Sequence, residues 1–372
     1  MLTHIRDMKI IADEKIPFLR GAMERYAQVE YIDGRSFTPS VVREADALII
    51  RTRTKCDEAL LGTSSVSAIF TATIGYDHID REYCAKKGIH WQNAPGCNSS
   101  SVQQYVASAL AMLMLKGGYD LRGKTMAVIG VGNVGSKVVD WARLLGIRVL
   151  QVDPFRAKRE EGFVEYEEAL READIITYHT PLTYDGDYPT YHLFSHETCS
   201  KVRKGVVLIN TSRGEVVDIK ALRKALDEGV ISRAIIDVWE NEPYIDSELH
   251  ERVFIYTPHV AGYSYDSKRN GTRMAVEALC KHYGINNDWQ PEVLPEPTEP
   301  EINIEADEDP LIAALTMLSH TYDIMVDDRR LRVEPTKAEE QRGDYPLRRE
   351  IGAYKLNCKG ALADYLRKFG IK

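Results

Sequence analysis

Three short segments carry the side chains best suited to chemistry. They are Asn210-Thr211-Ser212-Arg213-Gly214, Asp237-Val238-Trp239-Glu240-Asn241-Glu242-Pro243 and Thr257-Pro258-His259-Val260-Ala261-Gly262. Histidine changes charge near neutral pH, so it can take or return a hydroxyl proton. A carboxylate beside it fixes the ring tautomer and stabilises the imidazolium that forms. An arginine supplies a planar fork that grips a carboxylate with two hydrogen bonds. His259, Glu242 and Arg213 are therefore a complete set for taking the proton from a secondary alcohol next to a carboxylate. Each also has a plainer use: His259 as packing at a strand end, Glu242 as the start of a turn before Pro243, Arg213 as a surface ion pair. Their joint occurrence at neighbouring strand ends favours catalysis.

A hydride leaving such an alcohol needs an acceptor, and a fourth segment offers a place for one. Val128-Ile129-Gly130-Val131-Gly132-Asn133-Val134-Gly135 has the G-x-G-x-x-G spacing directly after a strand and at the mouth of a helix. Gly130 permits the tight turn, Gly132 lets a pyrophosphate approach the backbone, and Gly135 allows close packing of helix on strand. The phosphates would sit against the free N–H groups of the helix, Asn133 and Val134 among them. Alone the motif is weak. The next strand, however, ends in Asp153, where a carboxylate accepts from ribose hydroxyls and repels a 2′-phosphate, favouring NAD over NADP. Arg156, Lys158 and Arg159 follow closely and leave room for a phosphate.

The elements that must position these residues alternate from start to finish between short β-branched runs and amphipathic stretches, the pattern of parallel α/β architecture. Strands are expected at Lys9–Ala12, Ala47–Arg51 and Ala68–Thr73, with helices at Glu14–Ala27 and Ile79–Lys87. Gly88 would close the second helix, and Asp77 would cap it beside His78. After a long helix, Ser101–Lys116, six strands follow: Thr125–Ile129, Arg148–Val152, Asp174–Tyr178, Val206–Asn210, Ala234–Val238 and Phe254–Tyr256. Helices at Val134–Leu145 and Ile219–Glu228 fall between them. Residues 286–308 hold four prolines among acids and suit an extended linker, and residues 309–372 return to a globular mix. Tyr178, Tyr184, Tyr188 and Tyr191 cluster around two prolines and are read as core and loop packing.

With 44% apolar and 28% charged residues the composition is globular. A net charge of −8 argues against a nucleic-acid partner. The apolar run Val106–Leu115 falls far short of the roughly 20 residues needed to cross a bilayer. The six cysteines lack metal-ligand spacing and read as reduced thiols of a cytoplasmic protein, with no metal expected.

The order of G-x-G-x-x-G, Asp153, TSRG, DVWENEP and TPHVAG resembles the D-2-hydroxyacid dehydrogenase superfamily. KIIADEKIP, Arg51-Thr52-Arg53-Thr54-Lys55, TATIGYDHID, APGCN, Gly262-Tyr263 and TYDIMVDDRRLR narrow the likeness to its erythronate-4-phosphate dehydrogenase family, and it extends over essentially the whole chain. The resemblance implies two doubly wound, Rossmann-like domains with a cleft between them and a small C-terminal α/β dimerisation domain. Residues 1–100 and 266–285 would bind substrate, and 101–265 would bind NAD. It further implies that Arg213, Glu242 and His259 are catalytic, and that Asp153, Thr180, Asp237 and Gly262 contact NAD. Thr52, Thr73 and Tyr263 would touch the substrate, with a threonine at position 52 where the family more often has serine. Among Arg51, Arg53 and Lys55, one or more would take the substrate phosphate. Phosphoglycerate dehydrogenase and a non-catalytic NAD-sensing protein remain as rival readings. A homodimer through residues 309–372 is expected, with no membrane partner.

Overall fold

The computed structural model describes residues 8–246 and 248–372. Its chain divides into two compact units, Met1–Asn98 with Ser264–Pro295, and Ser99–Tyr263 with Glu296–Lys372.

The first unit is built on five parallel strands: β1 (Lys9–Asp13), β2 (Gln28–Ile32), β3 (Ala47–Ile50), β4 (Ala68–Thr71) and β5 (His90–Gln92), in the order β2-β1-β3-β4-β5. β3 and β4 are buried at every residue, as apolar runs in a parallel sheet covered on both faces must be. Ala275, Val276 and Leu279 of the helix Tyr265–Tyr283 share a core with Ile10, Ile49 and Phe70. Val42, Leu60, Leu61 and Tyr83 join Ile11, Leu48 and Ile69 in another.

The helix expected over Glu14–Ala27 does not form; the segment is a series of turns. Phe18 and Gly21 adopt left-handed backbone conformations, with φ of 63° and 85°. Carboxylates then supply what a helix would have supplied. Asp13 accepts from the Lys15 N–H, and Glu24 accepts from the N–H groups of Gly21 and Met23. The helix over Arg81–Lys87 is present and closed by Gly88 at φ 69°, but its cap is Asp80, which accepts from the Tyr83 N–H at 2.9 Å, and not Asp77.

The second unit holds six parallel strands: β6 (Thr125–Ile129), β7 (Arg148–Val152), β8 (Ile175–Tyr178), β9 (Val206–Asn210), β10 (Ile231–Ile236) and β11 (Ile255–Tyr256). Their order is β11-β10-β9-β8-β6-β7, and Phe163 makes a one-residue parallel bridge to Gln151 in β7. Counting that bridge as a rudimentary strand outside β7 gives the 3-2-1-4-5-6 order of a dinucleotide-binding sheet, extended by one strand. β10 stops two residues earlier than expected, so Asp237 is the first residue beyond it.

Residues 296–372 share the core of this unit. Leu315, Leu318, Leu366 and Phe369 cluster with Val106, Leu110 and Leu113 of the helix Ser99–Leu115, which is buried on almost all sides. Polar ties reinforce the junction: Ser108 Oγ donates to the Tyr322 carbonyl at 2.6 Å, and Tyr365 donates to that of Leu144 at 2.8 Å. Within the stretch read as linker, Glu301–Asn303 forms a strand, β12, paired in parallel with β13 (Lys355–Asn357). The six cysteines are free thiols. Among the described residues no helix is long and apolar enough to cross a membrane.

Candidate active site

The glycine turn follows β6. Gly130 has φ 85°, and a Cβ there would lie 2.8 Å from the His179 carbonyl oxygen and 2.9 Å from Thr180 Cγ2. A Cβ on Gly135 would meet the Gly130 carbonyl oxygen at 2.0 Å, so the close approach of helix to turn admits only glycine. Gly132 differs: nothing lies within 4 Å of the space a Cβ would fill. It caps the helix Asn133–Leu144 without a side-chain hydrogen bond, so Asn133 and Val134 open that helix with their N–H groups uncovered by any capping side chain. Beside the turn, the buried Thr180 hydroxyl has no hydrogen-bond partner among the described residues. An open backbone cradle and an orphaned hydroxyl fit a dinucleotide.

Asp153 is the first residue beyond the neighbouring strand, β7. Its carboxylate accepts from the Val131 and Arg156 N–H groups, each at 3.1 Å, which fixes it beside the turn. Arg156 is committed elsewhere. It donates to the Val131 carbonyl at 2.7 Å and to Ser136 Oγ at 3.2 Å, and pairs with Glu160. A guanidinium engaged on three sides is poorly placed to receive a 2′-phosphate, in keeping with NAD.

The three candidate segments pack on one another. In the loop after β9, Asn210 accepts from the Ser212 N–H and hydroxyl and donates to the Arg213 carbonyl. The Arg213 guanidinium donates back to the Ser212 carbonyl at 2.8 Å. Gly214 then touches the next loop so closely that a Cβ would stand 2.0 Å from the Trp239 carbonyl carbon. Trp239 in turn donates its indole N–H to the Thr257 carbonyl at 2.9 Å.

His259 faces Glu242. Its Nδ1 lies 2.9 Å from Oε1 and 2.8 Å from Oε2. A carboxylate only accepts, so Nδ1 carries the proton and Nε2 is the nitrogen left for chemistry. Burial alone would raise the Glu242 carboxyl. The charge and hydrogen bond of His259, with Arg342 and the Trp239 N–H, outweigh burial and hold it at about 2. His259 adopts φ 59°, a conformation that side chains other than glycine rarely take, and its N–H is anchored on the Asp237 carbonyl at 2.6 Å.

Asp237 was expected to contact the cofactor. It is fully buried, and its carboxylate is consumed by the Thr257 hydroxyl at 2.7 Å and the N–H groups of Val260 and Ala261 at 2.8 and 3.0 Å. Its work here is to hold the turn that carries His259, with Gly262 next along the chain.

In the first unit, Thr52 follows β3 and is exposed, while Thr73 follows β4 and shares a 2.7 Å hydrogen bond with Thr71. Arg51, one of three candidates for the substrate phosphate, is paired within the unit. Its Nε and a terminal nitrogen both donate to the fully buried Asp13, at 2.9 and 3.2 Å, so its charge is already matched. Lys55 pairs with Asp57 at 2.9 Å. Of the tyrosines read as packing, Tyr178 is buried, but Tyr184, Tyr188 and Tyr191 are exposed.

Two residues that no motif announced reach the catalytic loops from the C-terminal segment. Arg342 lies 3.6 Å from Glu242 and donates to the Tyr263 hydroxyl at 3.1 Å. Arg348 donates to the carbonyls of Tyr263 and Ala261, at 2.8 and 2.7 Å, and lies 3.9 Å above the Tyr322 ring.

Residues 102–261 match the D-isomer specific 2-hydroxyacid dehydrogenase NAD binding domain, and residues 293–370 match a domain of unknown function, DUF3410. An erythronate-4-phosphate dehydrogenase of Bacteroides fragilis is 50% identical over 352 residues, 94% of this chain and 99% of that one. One from Azotobacter vinelandii is 39% identical, over 95% and 96%. Among solved structures, NAD-bound 3-phosphoglycerate dehydrogenase of Entamoeba histolytica is similar at TM-score 0.65 and 26% identity, over 75% of this chain and 96% of that one. D-lactate dehydrogenase of Aquifex aeolicus with NAD and lactic acid is similar at TM-score 0.61 and 28% identity, over 74% and 96%. With relatives this similar over nearly the whole chain, the chain belongs to the erythronate-4-phosphate dehydrogenase family of NAD-dependent D-2-hydroxyacid dehydrogenases.

Proposed function

We propose that this chain oxidises 4-phospho-D-erythronate at C2, giving 3-hydroxy-2-oxo-4-phosphobutanoate for pyridoxal 5′-phosphate biosynthesis. NAD, when bound, accepts the hydride. Gly130, Gly132, Asn133, Val134 and Gly135 would hold its pyrophosphate, Asp153 its ribose, and Thr180 and Gly262 further polar edges. Arg213 grips the substrate carboxylate with its guanidinium fork. His259 Nε2 removes the C2 hydroxyl proton, and Glu242 stabilises the imidazolium through Nδ1. Thr52, Thr73 and Tyr263 supply hydroxyls to the substrate.

The observation that carries the reading is the His259–Glu242 contact, which leaves one imidazole nitrogen unprotonated for a base to use. The chain acts as a cytoplasmic homodimer paired through its C-terminal segment, which sedimentation of the full-length chain over a range of concentrations tests. The decisive experiment is a substrate panel of 4-phosphoerythronate, 3-phosphoglycerate and lactate, followed by NADH formation. The reading requires 4-phosphoerythronate to give the highest kcat/KM; a preference for 3-phosphoglycerate would replace it.

A further inference from the structure

We infer that Arg342, carried by the short helix Ala338–Gly343 of the C-terminal segment, is a positioning residue of the acid/base assembly that holds Glu242 and Tyr263 at once. This rests on the acid/base reading of His259 and Glu242 given above.

The geometry shows a side chain in two roles. One terminal nitrogen of Arg342 lies 3.6 Å from Glu242 Oε2, on the carboxylate that also receives His259. Its Nε donates to the Tyr263 hydroxyl oxygen at 3.1 Å, and the guanidinium carbon stands 5.8 Å from the Tyr263 ring centre. The side chain is only 19% exposed. A cation so enclosed needs matching negative or accepting groups, and Glu242, the Tyr263 oxygen and neighbouring Glu339 provide them. The hollow beside the pair is lined by Trp239, Glu242, Pro258 and His259 on one side and by Glu339 and Arg342 on the other.

Two consequences follow from this placement. When His259 takes a proton, Glu242 lies between two cations. Arg342 therefore weakens the hold of the carboxylate on the imidazolium and keeps the ring ready to accept. The other charged groups in the field are Glu215, which interacts with both Glu242 and Arg213, and Glu240. Neither bonds to the His259 ring. The second consequence concerns Tyr263. Its oxygen accepts from Arg342, which fixes the direction in which the phenol is held beside the acid/base pair.

The test compares full-length Arg342→Gln and Arg342→Lys with the parent chain. Removing the cation should move the acid limb of the kcat/KM profile upward by about half to one pH unit, on the Coulomb energy of a charge pair at this range. Arg342→Lys should restore the limb yet keep a raised KM, because an ammonium lacks the fork that reaches Tyr263. The titration of the His259 ring signals by NMR, assigned by their loss in His259→Asn, gives a readout independent of substrate. An upward move of that midpoint in Arg342→Gln supports the inference even if the parent chain proves inactive on 4-phosphoerythronate, an outcome that would remove the substrate reading alone. A midpoint unchanged in Arg342→Gln, with Arg342→Lys no better than Arg342→Gln in turnover, overturns it.

Discussion

The two parallel sheets place their candidate residues at the same kind of location, the carboxyl ends of strands, yet they fix them differently. In the first unit the tips are tied by side chains: Asp13 to Arg51, Thr71 to Thr73, and Thr54 to the Gly34 carbonyl. In the second, backbones meet directly. Gly214 lies against Trp239 and Gly135 against Gly130, with no room for a methyl group, and the buried Asp237 binds the turn that carries His259. On the proposed function the difference has a reason: a proton acceptor aligned with a hydride path must be held closely, because misplacement by about 1 Å costs on the order of 100-fold in rate.

The strongest way to break the comparison is at His259. His259→Ala should lower kcat by about 10²–10⁴-fold, the range that positioned acid/base groups supply, while NAD binding measured by fluorescence stays near that of the parent. Since the glycine turn is built without His259, loss of NAD affinity alongside turnover would show that the two functions of the second unit are not separable. Next in size is Asp13→Ala in the first unit. It strands the Arg51 guanidinium beside an apolar core, and breaking such a pair costs about 3 kcal/mol. Denaturant unfolding should show that loss, with the kcat of the folded fraction little changed. A collapse of kcat at unchanged stability would mean that Arg51 acts on substrate after all.

Much of this arrangement was legible in the residues themselves. Parallel strands in a covered sheet are continuous apolar runs, so β3, β4, β6 and β9 declare themselves. The spacing of Gly130, Gly132 and Gly135 has one compact physical meaning, and so does a histidine one loop beyond an acid. What stayed hidden has physical causes too. β2 is an exposed edge strand, QVEYI, whose polar residues blur its alternation. Glu14–Ala27 has helical composition, but Phe18 and Gly21 take left-handed conformations and carboxylates satisfy the backbone locally. Arg342 and Arg348 bond to groups roughly eighty residues away in sequence, and no local pattern reports a long-range charge contact.

A finer test separates backbone fixation from side-chain fixation within one chemical change, glycine to alanine. In Gly214→Ala the added carbon would meet the Trp239 backbone at 2.0 Å, and in Gly34→Ala it would meet the Asp13 carboxylate oxygen at 2.6 Å. Each overpacked site should cost about 1–3 kcal/mol in unfolding experiments. Only Gly214→Ala moves the loop joining Arg213 to Glu242, so only there should kcat fall well below the loss of folded protein. Equal kinetic defects in the two variants would dissolve the distinction between the sheets.

The smallest expected effect is in acid. Glu242 ordinarily titrates at 4.5 and is held at about 2 in the folded chain. A depressed carboxyl pKa contributes stability fully above 4.5, and that contribution is lost as pH falls from 4.5 towards 2. Glu242→Gln removes the titrating group, so its unfolding free energy should decline less steeply over that window than the parent's. Asp13 sits in the first unit and is untouched by the substitution, so any slope that survives reports the remaining carboxylates. Parallel curves across the whole acid range would show that His259 and Arg342 do not hold the Glu242 charge, and the catalytic pair would then lose the feature that most sets the second sheet apart from the first.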